Sequence, residues 1–80
     1  MLTPEQCRAA RGWLAWTQQD LADKAGVGLS TLRAFELGQR APIRNNLDAL
    51  RRAIEAAGVR LLVGNEGKAT GIAIDDARPG

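Results

Sequence analysis

Residues 17–38 read TQQDLADKAGVGLSTLRAFELG and contain two short helical patterns with a break between them. Apolar side chains recur at helical spacing in each pattern, at Leu21, Ala22 and Ala25 in the first and at Leu32 and Phe35 in the second. The break, Gly26-Val27-Gly28, is short and glycine-rich, which favours a tight turn. The stretch therefore predicts two helices joined by a short turn, the second of which ends at Gly38.

Helix-start signals appear twice before the middle of the chain. Each consists of a threonine that can cap the helix and a polar partner three residues later: Thr3 with Gln6 before a helix at about 4–14, and Thr17 with Asp20 before a helix at about 18–25. Proline directly after Thr3 strengthens the first signal, because its missing N–H costs nothing at the first helical position.

The next two helices have different start signals. Gly28 precedes the third helix, at about 29–37, and supplies no side-chain oxygen to cap it. Asn45, with Asp48 three residues later, predicts the cap of a fourth helix that ends at Gly58.

Beyond Gly58 the apolar period changes from helical to strand-like. The runs 59–63 and 71–74 are rich in β-branched residues and flank a turn-like segment, which predicts a β-hairpin. We therefore divide the chain into a helical bundle at 1–58, a hairpin extension at 59–75 and a flexible tail at 76–80.

Composition limits the functions that the chain can perform. Its 80 residues make one small domain, with no His and a single cysteine, Cys7, expected to be buried beside Ala10. Without His, a second Cys or a glycine-rich phosphate loop, we expect no enzyme, no metal site and no cofactor. No apolar run approaches the ~20 residues of a membrane helix, so we expect a cytoplasmic protein. Residues 1–60 carry nine basic and six acidic side chains, a small excess that suits nucleic acid.

Two helices joined by a tight glycine-containing turn are the layout of a helix-turn-helix, whose second helix enters the DNA major groove. The chain also resembles the phage-repressor and Cro-type regulators, called the XRE type, over residues ~3–57. The residues that carry this resemblance are Arg11, Leu14, Thr17, Gln18, Leu21, Ala22, Ala25, Gly26, Val27, Leu32, Glu36 and Gly38. The predicted fold is mostly α, a four- to five-helix bundle containing a helix-turn-helix, with a short C-terminal β-hairpin as in small bacterial members.

Helical spacing and the resemblance together assign candidate site residues. The outward face of the third helix supplies the base-reading candidates Leu29, Ser30, Arg33 and Ala34. The phosphate-contact candidates are Thr17, Gln18, Gly28, Arg40, Arg44 and Asn45. The resemblance implies a buried pair between Arg11 and Glu36, the alternative being two exposed charges. One core is expected from Leu14, Trp16, Leu21, Val27, Leu32, Phe35, Leu47, Leu50 and Ile54.

Two functions of different classes follow. The first is a small transcriptional regulator that binds double-stranded operator DNA, as a homodimer because an open strand edge invites pairing. The alternative is an antiactivator, adaptor or antitoxin that uses the same fold to bind another regulator or a toxin. It is motivated by the few polar side chains on the third helix and by the apolar residues Trp13, Leu29 and Leu37, which would form its binding surface.

Overall fold

The computed structural model describes residues 2–75 as four helices followed by a two-stranded antiparallel sheet. The elements are α1 (Pro4–Leu14), α2 (Gln18–Ala25), α3 (Leu29–Glu36), α4 (Arg44–Ala56), β1 (Val59–Val63) and β2 (Ala69–Ile74). This confirms the predicted fold class, with β2 beginning two residues earlier than expected. The tail predicted at 76–80 lies outside the described residues.

The first two helices begin where their capping signals predict. The Thr3 hydroxyl accepts the Gln6 backbone N–H at 3.2 Å, and the Gln6 side chain accepts the Thr3 N–H at 3.1 Å. Thr17 and Asp20 make the same reciprocal pair before α2, at 3.0 Å and 2.9 Å. Each box satisfies two backbone donors that the first helical turn leaves unpaired.

The predicted start of α4 is wrong. Ile43, not Asn45, is the N-cap residue, and no side chain caps this helix. The Ile43 carbonyl accepts the first helical hydrogen bond, from the Leu47 N–H at 3.0 Å, so Asn45 lies inside the first turn. A side-chain cap contributes only about 1 kcal/mol. The helix can begin without that cap, because Ile43, Arg44 and Asn45 are all exposed and water can satisfy the free N–H groups of the first turn.

The predicted core is present as one cluster between the helices. Its fully buried large side chains are Leu21, Leu32, Leu50 and Ile54, with Val27 and Phe35 nearly so. Leu14, Trp16 and Leu47 are partly buried and pack against this cluster, and Cys7 and Ala10 are buried as expected. Helices α2 and α3 thus each pack one face against this cluster, and their opposite faces are in solvent.

One side chain of α1 holds the hairpin against the helices. Gln6 is only 3% exposed, and its Nε2 donates to the carbonyls of Leu62 and Gly71, both at 3.0 Å. These two residues face each other on β1 and β2, next to the irregularity in the strand register. A two-stranded hairpin is marginal alone. Its attachment to α1 and the packing of its inner face on the core make it part of the domain.

Candidate nucleic-acid interface

The Glu36 carboxylate at the end of α3 is the point where three helices are joined. Arg11, in α1, donates two hydrogen bonds to it, Nη2 to Oε1 at 2.6 Å and Nε to Oε2 at 2.7 Å. Gln18, the first residue of α2, donates its Nε2 to Oε1 at 3.0 Å. Arg11 also donates to the Trp16 carbonyl at 3.1 Å, which fixes the connection between α1 and α2.

Two further contacts complete this cluster. The Cys7 Sγ donates to Oε2 of Glu36 at 3.1 Å, and Arg8 donates to the Glu36 backbone carbonyl. The side chain of Glu36 is 2% exposed and that of Arg11 19% exposed. The structure therefore places the pair in the interior, where an ionised carboxylate requires both an opposite charge and hydrogen-bond donors.

The protonation states in the cluster follow from these contacts. Burial raises the pKa of Glu36, but the hydrogen bonds from Arg11, Gln18 and Cys7 outweigh burial and hold that pKa below its ordinary value. Burial, followed by the hydrogen bond to Glu36, raises the pKa of the Cys7 thiol. Glu36 is therefore the charged acceptor and Cys7 the protonated donor. The hydrogen bonds to Glu36 from Arg11 and Gln18 hold α3 in one orientation relative to α1 and α2.

The outer face of α3 is small and sparsely polar. Leu32, Phe35 and Glu36 point into the protein, whereas Ser30, Arg33 and Leu37 are exposed and Ala34 is half-buried. Spacing of 100° per residue places Ser30 and Ala34 at the centre of the outer face and Arg33 at its side. Leu29 is half-buried, so it contributes less to the surface than helical spacing predicts.

A concave surface lies beside this face, between α3 and the loop that follows it. Its lining combines small and polar residues of the helix with residues of the loop: Ser30, Thr31, Ala34, Gln39, Arg40 and Pro42. Arg40, a phosphate-contact candidate, thus lies on the same surface as the base-reading candidates Ser30 and Ala34. Thr31 and Gln39 are not among the residues predicted from the sequence, although a Gln directly after the Gly38 helix stop is a polar residue placed next to the outer face.

The remaining phosphate-contact candidates lie at the N-terminal ends of helices. Thr17 and Gly28 are the N-cap residues of α2 and α3, and the N–H groups of a helix N-terminus attract anions. Arg44 and Asn45 are exposed in the first turn of α4, and Arg44 borders a neighbouring depression that shares Pro42 with the first. Among the described residues, neither Arg33, Arg40 nor Arg44 takes part in an ion pair.

A sequence profile of the family described as helix-turn-helix matches residues 8–59, which run from the middle of α1 to the first residue of β1. The chain belongs to this helix-turn-helix family. The family is the XRE or Cro/C1 type of DNA-binding transcriptional regulators, in agreement with the resemblance carried by residues ~3–57. No curated protein matches the chain. Within residues 2–75, no helix of this regulator is long and apolar enough to cross a membrane.

The regulator's helix α3 starts at Gly28 without a side-chain cap, and we expect Gly28→Ser to supply one. The backbone of Gly28 is extended, with φ −63°, and an added Cβ would have no neighbour closer than the Thr31 Oγ1 at 3.8 Å. A serine hydroxyl there can accept a backbone N–H of the first turn. The free energy of unfolding of the variant should exceed that of wild type by a few tenths of a kcal/mol, which raises its urea midpoint.

Gly28→Ala is the matched control for this change, because it adds the same Cβ without the hydroxyl. The serine variant should be more stable than the alanine variant by about 1 kcal/mol. Equal urea midpoints for the two variants would show that no cap forms.

Proposed function

We propose that this helix-turn-helix regulator occupies an operator by placing α3 in the major groove, where Arg33 and Ser30 read base edges. The observation that carries the proposal is the exposed Arg33, which forms no ion pair within residues 2–75, on a helix whose opposite face is bound to α1 and α2 through Glu36. A guanidinium held on a rigid helix can donate to guanine O6 and N7 together. Ser30 supplies the other hydrogen-bonding group of that face.

Phosphate contacts would position the helix in the groove. Arg40 and Arg44 lie on the loop and helix start that follow α3, and Thr17 and Gly28 offer helix N-termini. Gln18 uses one amide hydrogen for Glu36, which leaves its second amide hydrogen available to a phosphate oxygen. These contacts are independent of base sequence and would supply most of the non-specific affinity.

We further propose that the regulator acts in the cytoplasm as a homodimer and represses by occupying its operator. Two-fold symmetric readers bind two half-sites about one helical turn apart. Support for the dimer comes from the two-stranded sheet, each strand of which has one edge that no other strand of the described residues pairs with.

The test is a gel-shift titration of the protein with DNA from upstream of its own gene, across a salt series. We expect affinity to fall steeply with salt, because each phosphate contact releases condensed counterions. Arg44→Ala should flatten the dependence of log affinity on log salt by about one unit. Arg60→Ala removes an exposed arginine of β1 that is not among the phosphate-contact candidates, and it should leave the slope unchanged.

Absence of any complex at low salt would refute the operator proposal. The alternative function, binding of another regulator or a toxin, rests on the sparsely polar outer face of α3 and on apolar exposure: Trp13 is 57% and Leu37 70% exposed. Leu37→Ser belongs in the same titration, since Leu37 lies at the far end of α3 and its replacement should leave the DNA complex intact.

A further inference from the structure

The centre of the α3 outer face combines one hydrogen-bonding side chain with one apolar methyl group. Ser30 and Ala34 occupy it, one turn apart, and both line the concave surface beside the loop. Ala34 presents a single methyl group, is half-buried and lines that surface together with Thr31, Gln39 and Pro42. The methyl group of Ala34 cannot hydrogen-bond to a polar base edge, but it can contact an apolar group on a base.

We propose that Ala34 contacts the C5-methyl group of a thymine, so that the half-site of this regulator contains a thymine recognised through its methyl. The inference rests on the proposed function and names one base that the outer face of α3 recognises. Thymine is the base whose major-groove edge combines an O4 acceptor with a methyl group. Ala34 would meet the methyl, and the Ser30 hydroxyl, one turn earlier on the same line, would donate to O4.

The side-chain sizes on this face favour that contact. With only a Cβ at position 34 and a short hydroxymethyl at position 30, the helix backbone can come close to the groove floor. Arg33, at the side of the same face, would fix the register on a neighbouring guanine. Arg40 and Gln39, which line the concave surface from the loop after α3, would then lie nearer the phosphates than the bases.

The experiment replaces thymine by deoxyuridine, which removes the methyl and leaves every hydrogen-bonding group in place. Bound sequences are first selected from a random DNA pool, and each thymine of the selected half-site is then replaced singly. We expect one position at which deoxyuridine weakens wild-type binding about four-fold, as for loss of one buried methylene-sized group.

Ala34→Gly completes a double-mutant cycle, since glycine lacks the methyl partner. In this variant the deoxyuridine penalty at that position should disappear. Ala9→Gly is the matched control: it makes the same exchange at an exposed position of α1 and should retain the penalty. Circular dichroism of both variants verifies that the helices remain folded.

Each outcome decides between the two levels of the proposal. If no sequence is selected, the operator function fails and the inference fails with it. If a site is selected but no thymine is sensitive to loss of its methyl, the operator function stands and the thymine inference is overturned. If the penalty persists in Ala34→Gly, another residue reads the methyl and the assignment to Ala34 is wrong.

Discussion

Arg11→Met is expected to destabilise the fold by about 3–5 kcal/mol, because it leaves the Glu36 carboxylate buried without a cation. Arg11 supplies two of the hydrogen bonds to that carboxylate, and Gln18 and Cys7 cannot replace its charge. Domains of this size typically have ~4–12 kcal/mol of stability in total. Urea unfolding of the variant should therefore show a large fall in midpoint or an unfolded chain at 25 °C.

Arg51→Met is the matched control, because Arg51 also forms ion pairs, with Asp48 and Glu55 on the exposed side of α4. Exposed pairs of this kind contribute at most about 1 kcal/mol. The double variant Arg11→Met/Glu36→Leu removes both buried charges and should recover part of the lost stability. Equal effects of Arg11→Met and Arg51→Met would show that the buried pair contributes no more than an exposed one.

The same carboxylate makes stability depend on acid. Because the folded state holds the pKa of Glu36 below its ordinary value of 4.5, its contribution is present above that pH and is lost as the pH falls through the lower pKa. The urea midpoint should therefore decline below pH 4.5, and the Arg11→Met/Glu36→Leu variant should show a shallower decline. The pKa of Asp20 is also lowered, chiefly by the Thr17 backbone hydrogen bond, so both proteins are best compared in an Asp20→Asn background.

Replacing Arg33 by Ala is expected to relax sequence preference at one base pair. A bidentate contact between arginine and guanine discriminates against a wrong base by about 1–3 kcal/mol, and alanine removes both donors. The measurement is the ratio of affinities for the selected site and for a site changed at that base pair, in wild type and variant.

Arg44→Ala provides the comparison, because loss of a phosphate contact weakens all sequences by a similar factor and leaves that ratio unchanged. Arg33 does not read a base if its replacement lowers both affinities equally. Since Arg33 makes no ion pair within residues 2–75, any change in specificity would come from the lost DNA contact rather than from a disturbed fold.

Local signals explain why much of the architecture is predictable. The starts of α1 and α2 depend on residues three positions apart, Thr3 with Gln6 and Thr17 with Asp20, so a short stretch contains all the necessary information. The start of α4 is not predictable in this way, because its N-cap residue, Ile43, has no side-chain acceptor and so leaves no capping signal in the sequence. The hairpin is predictable from the change of apolar period after Gly58, but its attachment to α1 is not.

The contacts that are not predictable from the sequence join residues far apart in the chain. Gln6 is identifiable as part of a capping box, yet nothing near it indicates that its amide reaches two strand carbonyls. Arg11 and Glu36 are 25 positions apart, and only the family resemblance suggests that they meet. The roles of Gln18 and Cys7 in binding Glu36 have no local signal either, because three helices must assemble before these side chains converge.

The double use of Gln6 has a consequence for the order of folding. Its Oε1 caps the first turn of α1, whereas its Nε2 reaches carbonyls 56 and 65 positions further along the chain. Contacts across so many residues close the largest loops and are entropically the most costly to form early. The hairpin should thus dock after the helices have assembled. Because Gln6 binds both the start of α1 and the hairpin, opening of the hairpin and fraying of α1 should occur as a single event. In hydrogen exchange, the Thr3 amide should then exchange at the same rate as the backbone amides of the two strands.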